Sequence, residues 1–242
     1  MRTVEFMIRK RKPSFEIPSS PNLNHERALW EAGKNRIAGL DEAGRGAWAG
    51  PVVAAVVIFP QNIHLENCLS GVRDSKQLNA RQRMYWAEKI KDQAQAWGVG
   101  SALHTEIDQF GILPATRLAM QRALMQIPEI PDHLLIDALL LPQVDKPQTA
   151  LIKGDQRSLS IAAASILAKT SRDEWMKTED PVFPAYGFGQ HKGYGTRQHL
   201  EAIKRLGACP EHRQSFAPFT DNASSEKTFL DFTTNPGRQG SE

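Results

Sequence analysis

Apolar positions along the chain follow two periods, and their alternation predicts the architecture. Residues 36–41 and 133–137 are short apolar runs that end on an acid, and each reads as a buried strand. Residues 52–59 form a continuous β-branched run, a stronger strand signal, and residues 97–104 and 149–152 complete a set of five. Helical spacing fills the gaps. Asn79 is placed to cap a helix running to about Ala96, residues 113–127 continue in helical register until Pro128, and residues 158–177 form a long Ala-rich helix. Thr196 caps another helix, which Gly207 terminates. Only a short turn-rich stretch separates the first two strands, so they are expected to pair antiparallel. The prediction is an α/β domain with a mixed five-stranded sheet flanked by helices.

The two ends depart from this pattern. Residues 1–24 carry Pro13, Pro18 and Pro21 and the basic run Arg9-Lys10-Arg11-Lys12, and read as a flexible leader. Residues 221–242 are rich in Ser, Thr, Asn and Gly and read as a mobile tail of unknown partner, in which Phe229, Leu230 and Phe232 could dock. Between them lie a main domain, 25–180, and a helical extension, 181–220. Composition changes little: Lys and Arg outnumber Asp and Glu by 30 to 27, so a polyanionic partner would have to be met by local clusters. The longest strongly apolar stretch, residues 51–60, is far too short to cross a membrane, and no secretory signal follows the basic run. Cys68 and Cys209 lack metal-ligand spacing and read as reduced thiols, so a cytoplasmic monomer is expected.

Candidate chemistry concentrates where strands stop. Asp41-Glu42-Ala43-Gly44-Arg45-Gly46 places two adjacent carboxylates at the end of the first strand, where they repel each other unless a cation relieves them. A polar turn would use the same residue types. Asp137 ends another strand, and Asp173 lies on the Ala-rich helix one turn after Lys169. Asp41, Glu42, Asp137 and Asp173 together supply oxygen ligands of the kind that hold two Mg²⁺ or Mn²⁺ ions in phosphodiester hydrolysis. The seven histidines show no zinc-hydrolase spacing, and the glycines of Gly44–Gly50 are misplaced for a dinucleotide loop. Gly44 and Gly46 let backbone approach a sugar closely enough to detect a 2′-hydroxyl, and Arg45 can meet a phosphate. The same glycines would serve a tight turn equally well. Lys76 and Lys153 fall in loops at element ends, where solvation is the ordinary fate of a lysine. Tyr194 lies between Gly193 and Gly195 beside Lys192, so its ring is expected to be exposed and able to stack on a base or sugar.

These blocks resemble a family. Asp41–Gly46, Asp74-Ser75-Lys76, Lys153-Gly154-Asp155, residues 161–166, Arg172-Asp173, residues 192–196 and His212-Arg213-Gln214-Ser215-Phe216 are similar, in order, to ribonuclease HII. The resemblance implies a ribonuclease H-like fold with a helical C-terminal extension that binds substrate. It implies Asp41, Glu42, Asp137 and Asp173 as metal-binding catalytic carboxylates, and Gly44, Arg45 and Gly46 as readers of the 2′-hydroxyl, with Lys76 and Lys153 as further substrate contacts. Tyr194 would stack on the deoxyribose after the RNA–DNA junction. The partners implied are RNA–DNA hybrids and DNA duplexes containing ribonucleotides, cut on the 5′ side of the ribonucleotide to leave a 3′-hydroxyl and a 5′-phosphate, in ribonucleotide removal and primer degradation. One position departs from the family: Ala138 follows Asp137 where members often carry Gly. A non-catalytic nucleic-acid-binding module and another acid-and-metal nuclease on the same sheet, such as a resolvase or transposase relative, are the rival readings; four acids facing a polyanion disfavour the first, and Gly44–Gly46 with Tyr194 disfavour both.

Overall fold

The computed structural model describes residues 17–62 and 64–220. Five strands form one sheet: β1 (Ile37–Ala43), β2 (Val52–Ile58), β3 (Ala96–Ala102), β4 (His133–Asp137) and β5 (Gln148–Leu151), in the order β3-β2-β1-β4-β5. β1 pairs antiparallel with β2, and β2 with β3, while β4 lies parallel to both β1 and β5. The sheet is therefore mixed, as the pattern predicts.

Eight helices accompany it among the described residues: α1 (Asn24–Glu31), α2 (Leu65–Cys68), α3 (Ala80–Gln93), α4 (His104–Phe110), α5 (Ile112–Leu124), α6 (Leu159–Glu179), α7 (Phe188–His191) and α8 (Arg197–Leu206). Every residue of β2 is buried, because both faces of the sheet are covered. Ala55 and Val57 face a core with Ala87 and Ile90 of α3 and Ala162, Ala163 and Ile166 of α6. Ala54, Val56 and Ile58 face Ala115, Ala119 and Met120 of α5. This two-residue alternation turns a continuous apolar run into the partition between two cores. A third cluster, built from Met176, Tyr186, Phe188, Ala202 and Cys209, joins the C-terminal helices to the end of α6.

Asn79, Thr196 and Gly207 cap and end their helices as expected, with Asn79 and Gln82 in a reciprocal capping box, and Ser158 caps α6 rather than beginning it. Three expectations change. The leader is shorter than residues 1–24: Leu23 is wholly buried in the main core, and Glu26 on α1 accepts from Ser158 Oγ (2.6 Å), Ser160 N (3.0 Å) and Ser160 Oγ (2.6 Å). The strand expected to reach His104 stops at Ala102, because Glu106 reaches back to the Leu103 amide at 2.9 Å and starts α4. β1 continues beyond Asp41, paired with β2 as far as Ala43. The run Arg9–Lys12 and the tail from 221 lie outside the described residues. No described helix is long and apolar enough to cross a membrane. Cys68 and Cys209 are both free.

Candidate active site and nucleic-acid interface

Parallel pairing sets Leu40 of β1 against Ile136 of β4, so the residues that follow, Asp41 and Asp137, stand side by side. Asp41 is buried, and its carboxyl is pushed well above the usual range by burial and then by Glu42 and Asp137; a Ser165 hydrogen bond only partly opposes this. Ser165 also touches Ser75 at 3.0 Å, drawing the Asp74-Ser75-Lys76 turn against α6. Glu42 is raised by burial, restrained by Arg45 at 3.1 Å, and its Oε2 is buried with no partner. Asp137 is raised by burial although the Gly154 amide donates to it at 2.7 Å.

Asp173 does not join this group. It lies about two turns beyond Ser165, roughly 12 Å along α6, and binds Lys169 at 2.5 Å and Arg83 at 3.1 Å. The carboxylate that does join is Asp155, in the short 3₁₀ turn after β5. It is buried, and burial, Asp74 and Asp137 push it up to about 6. The exposed Lys76 ammonium marks the centre. Burial lowers its pKa, but Asp74, Asp155, Asp41 and Asp137 outweigh that and raise it. The sequence did carry a signal for Asp155: the Lys153–Asp155 turn follows a strand, just as Asp137 closes one. Lys153 is exposed at the head of that turn with a left-handed φ of 56°.

Excess negative charge and an orphaned Glu42 oxygen fit hard divalent cations, which take carboxylate oxygens. Among the described residues no three such groups already stand at ligand spacing, so the side chains would have to close on an ion.

The turn after β1 is shaped for close approach. Gly44 has φ +96°, and a Cβ there would lie 2.0 Å from Arg172 Nε. A Cβ at Gly46 would meet nothing within 4 Å, so that position faces open space. Arg45 is exposed and bound to Glu42. Tyr194 reaches the same edge through the bridge between Ala47 and Tyr194. Its ring is half-buried rather than exposed. The flanking glycines serve packing: Cβ atoms at Gly193 and Gly195 would strike the Ala49 carbonyl (2.5 Å) and the Trp48 ring (2.3 Å). Lys169 Nζ and Arg172 Cζ stand 5.1 and 5.0 Å from the Tyr194 ring centre. A cleft of about 360 Å³ opens beside it, lined by Arg83, Lys169, Lys177 and Lys192.

A family model described as Ribonuclease HII matches residues 38–219. The chain is 54% identical over 206 residues to a Ribonuclease HII of Synechococcus sp. (strain JA-3-3Ab), covering 85% of this chain and 92% of that one. Its fold matches the crystal structure of the ribonuclease H2 from Pyrococcus horikoshii OT3 with a TM-score of 0.63 at 25% identity, over 79% of this chain and 99% of that one. It also matches Bst-RNase HIII in complex with Mn²⁺, with a TM-score of 0.58 at 22% identity, over 83% and 73%. The chain belongs to the ribonuclease HII family and is a ribonuclease H enzyme.

Proposed function

We propose that the enzyme hydrolyses the phosphodiester 5′ to a ribonucleotide, in RNA–DNA hybrids and in DNA duplexes with embedded ribonucleotides, leaving a 3′-hydroxyl and a 5′-phosphate. The observation that carries this reading is the bridge between Ala47 and Tyr194, which puts the open Gly46 turn and the aromatic ring on one edge beside the carboxylates. Gly44, Arg45 and Gly46 offer backbone to the 2′-hydroxyl, the group that separates RNA from DNA. Tyr194 takes the following deoxyribose, and Lys169, Lys177 and Lys192 give the next phosphates a basic wall. Lys76 and Lys153 are exposed where they can meet the cleaved strand.

Asp41, Glu42 and Asp137, with Asp155 in place of Asp173, would hold two Mg²⁺ or Mn²⁺ ions. When bound, such ions supply the Lewis acidity that activates water and stabilises a leaving oxygen. Arg45 pairs with Glu42 and, exposed at this edge, is the side chain placed to meet a phosphate. Asp173 holds Arg83, which donates to the Ser75 carbonyl at 3.2 Å and so steadies the turn that bears Lys76.

The test is incubation with Mg²⁺ and three duplexes: all-DNA, DNA with one ribonucleotide, and an RNA–DNA hybrid. A single cut 5′ to the lone ribonucleotide, and none in all-DNA, is expected. Cleavage of all three would identify a general metal nuclease, and binding without cleavage a nucleic-acid-binding module.

A further inference from the structure

Arg172 and Arg213 are wholly buried, yet neither is paired with a carboxylate among the described residues. Both donate to main-chain carbonyls instead. Arg172 binds the carbonyls of Pro51 (Nε, 2.9 Å), Lys192 (Nη1, 2.9 Å) and Ala49 (Nη2, 3.0 Å). Arg213 binds those of Gly50 (Nε, 3.0 Å) and Arg45 (Nη1, 3.0 Å), and its Nη2 is buried without a partner. Burial and the neighbouring Arg172 push Arg213 down to about 9, so it still holds its charge at neutral pH. Two buried cations held by carbonyls and one aromatic face each, with no carboxylate in ion-pair contact, recover little of their desolvation cost. Apolar side chains of similar volume would fill the space more cheaply.

The positions of the carbonyls explain the arrangement. Every one lies in the segment 45–51 or the turn around Tyr194. The same segments are stitched by Trp48 N to Gly193 O (2.8 Å), Arg213 N to Trp48 O (2.8 Å) and Gly50 N to Glu211 O (2.9 Å). Arg213 is itself seated by the Phe216 ring, 5.2 Å from Cζ, and by Asp108 of α4, which accepts from the Gln214 and Ser215 amides at 2.9 Å. A planar guanidinium fixes the direction of each carbonyl it binds, which an apolar filler or a single ammonium cannot do.

We infer that Arg213 is a specificity-determining positioning residue: through the Arg45 and Gly50 carbonyls it sets the aim of the Gly44–Gly46 backbone, and with Arg172 it locks that backbone to the Tyr194 turn. This rests on the proposed reading of Gly44–Gly46 as the 2′-hydroxyl detector. Arg213 touches no substrate; its loss should blunt discrimination more than general duplex binding.

The test measures affinity in Ca²⁺ buffer for a duplex with one ribonucleotide and for its all-deoxy twin, with integrity checked on a gel. Arg213→Lys keeps the charge and is expected to lower the ribo-to-deoxy affinity ratio about tenfold, the scale of one hydrogen bond lost at the 2′-hydroxyl, with all-DNA affinity unchanged. Phe216→Leu, which loosens the seat from outside, should lower the same ratio less and serves if the lysine variant does not fold. A wild-type ratio in a folded Arg213→Lys protein, or in Phe216→Leu where the lysine variant does not fold, overturns the inference. A wild-type enzyme that binds both duplexes equally overturns the reading of Gly44–Gly46 itself.

Discussion

Ala138 leaves β4 beside the carboxylates with φ +48°, in the left-handed region. A Cβ in that conformation costs about 1–2 kcal/mol. Glycine returns roughly half of the gain through its freer unfolded chain. Ala138→Gly is expected to add about 0.5–1 kcal/mol, seen as a melting temperature higher by about 1–4 °C; no rise would show that the turn is not strained. Asp155 and Asp173 separate two roles that the sequence merges. The folded pKa of Asp155 is raised to about 6 from an ordinary 3.8, so the folded protein holds the extra proton between those values. Its charge is therefore a burden above pH 6, and that burden lifts as pH falls through 6 towards 3.8. Asp155→Asn should stabilise the metal-free protein at pH 7.5, by about 1 kcal/mol after allowing for solvent screening, and the gain should vanish near pH 4. It should also cost at least ~100-fold in cleavage, about 2.7 kcal/mol of barrier. Asp173→Asn removes an ion-pair anchor and should stay within ~10-fold of wild type. Equal losses in the two variants would return Asp173 to the site.

At the scale of elements, the turn from α7 to α8 depends on a directed pair of imidazoles. His212 Nδ1 accepts from the Cys209 amide at 2.8 Å, the shortest contact it makes, which leaves Nε2 to donate to His199 Nε2 at 3.0 Å. His199 Nδ1 then donates to the Tyr194 carbonyl at 3.0 Å. Burial pushes both rings down to about 4, so the chain stays neutral and directional at working pH. A ring held this firmly at a half-buried edge serves geometry, and losing it displaces the reacting phosphate. Tyr194→Ala is expected to cut single-turnover cleavage by ~100-fold, with Tyr194→Phe near wild type and both melting close to the parent. A Tyr194→Ala protein that melts early and regains full rate at low temperature would make the ring a packing residue instead. The sequence made β1 and β4 legible as apolar runs ended by an acid and β2 as a continuous β-branched run, and it made α3 and α8 legible through their caps. It hid α1, α2, α4 and α7, which are too short to show a period. It also misled about Asp173: helical spacing places that residue one turn from Lys169, but only the packing of α6 on β1 shows that Ser165, two turns earlier, is what meets Asp41. Asp155 was marked only by its turn after a strand, and it takes the pairing of β5 with β4 to bring that turn against Asp137.

Across the whole molecule, α6 joins the parts. Its first turn is gripped by Glu26, its middle meets Asp41 through Ser165, and its last turns carry Arg172 and Met176 into the C-terminal cluster. The rigid scaffold thus converges on a site that is electrostatically unfavourable, since Asp41, Glu42, Asp137 and Asp155 all have raised pKa values. Each raised acid makes the fold less stable above its folded pKa and more stable as pH falls through it. Divalent cations and protons should compete to relieve the same strain. At pH 8, above the value of about 6 for Asp155, Mg²⁺ or Mn²⁺ at ~100 times its dissociation constant should add about 2.7 kcal/mol and raise the melting temperature by roughly 5–10 °C. At pH 5, below the value of about 6 to which Asp155 is raised, that carboxyl holds its proton and the shift should shrink. Asp155→Asn should show a reduced shift at pH 8, and Asp173→Asn the wild-type shift. The measurement is a thermal melt over a metal titration at both pH values, with Na⁺ at matched ionic strength as the control for screening. A shift of equal size at pH 5 and pH 8, or one that Na⁺ reproduces, would mean that the cations act on the general surface and that these four carboxylates do not hold them.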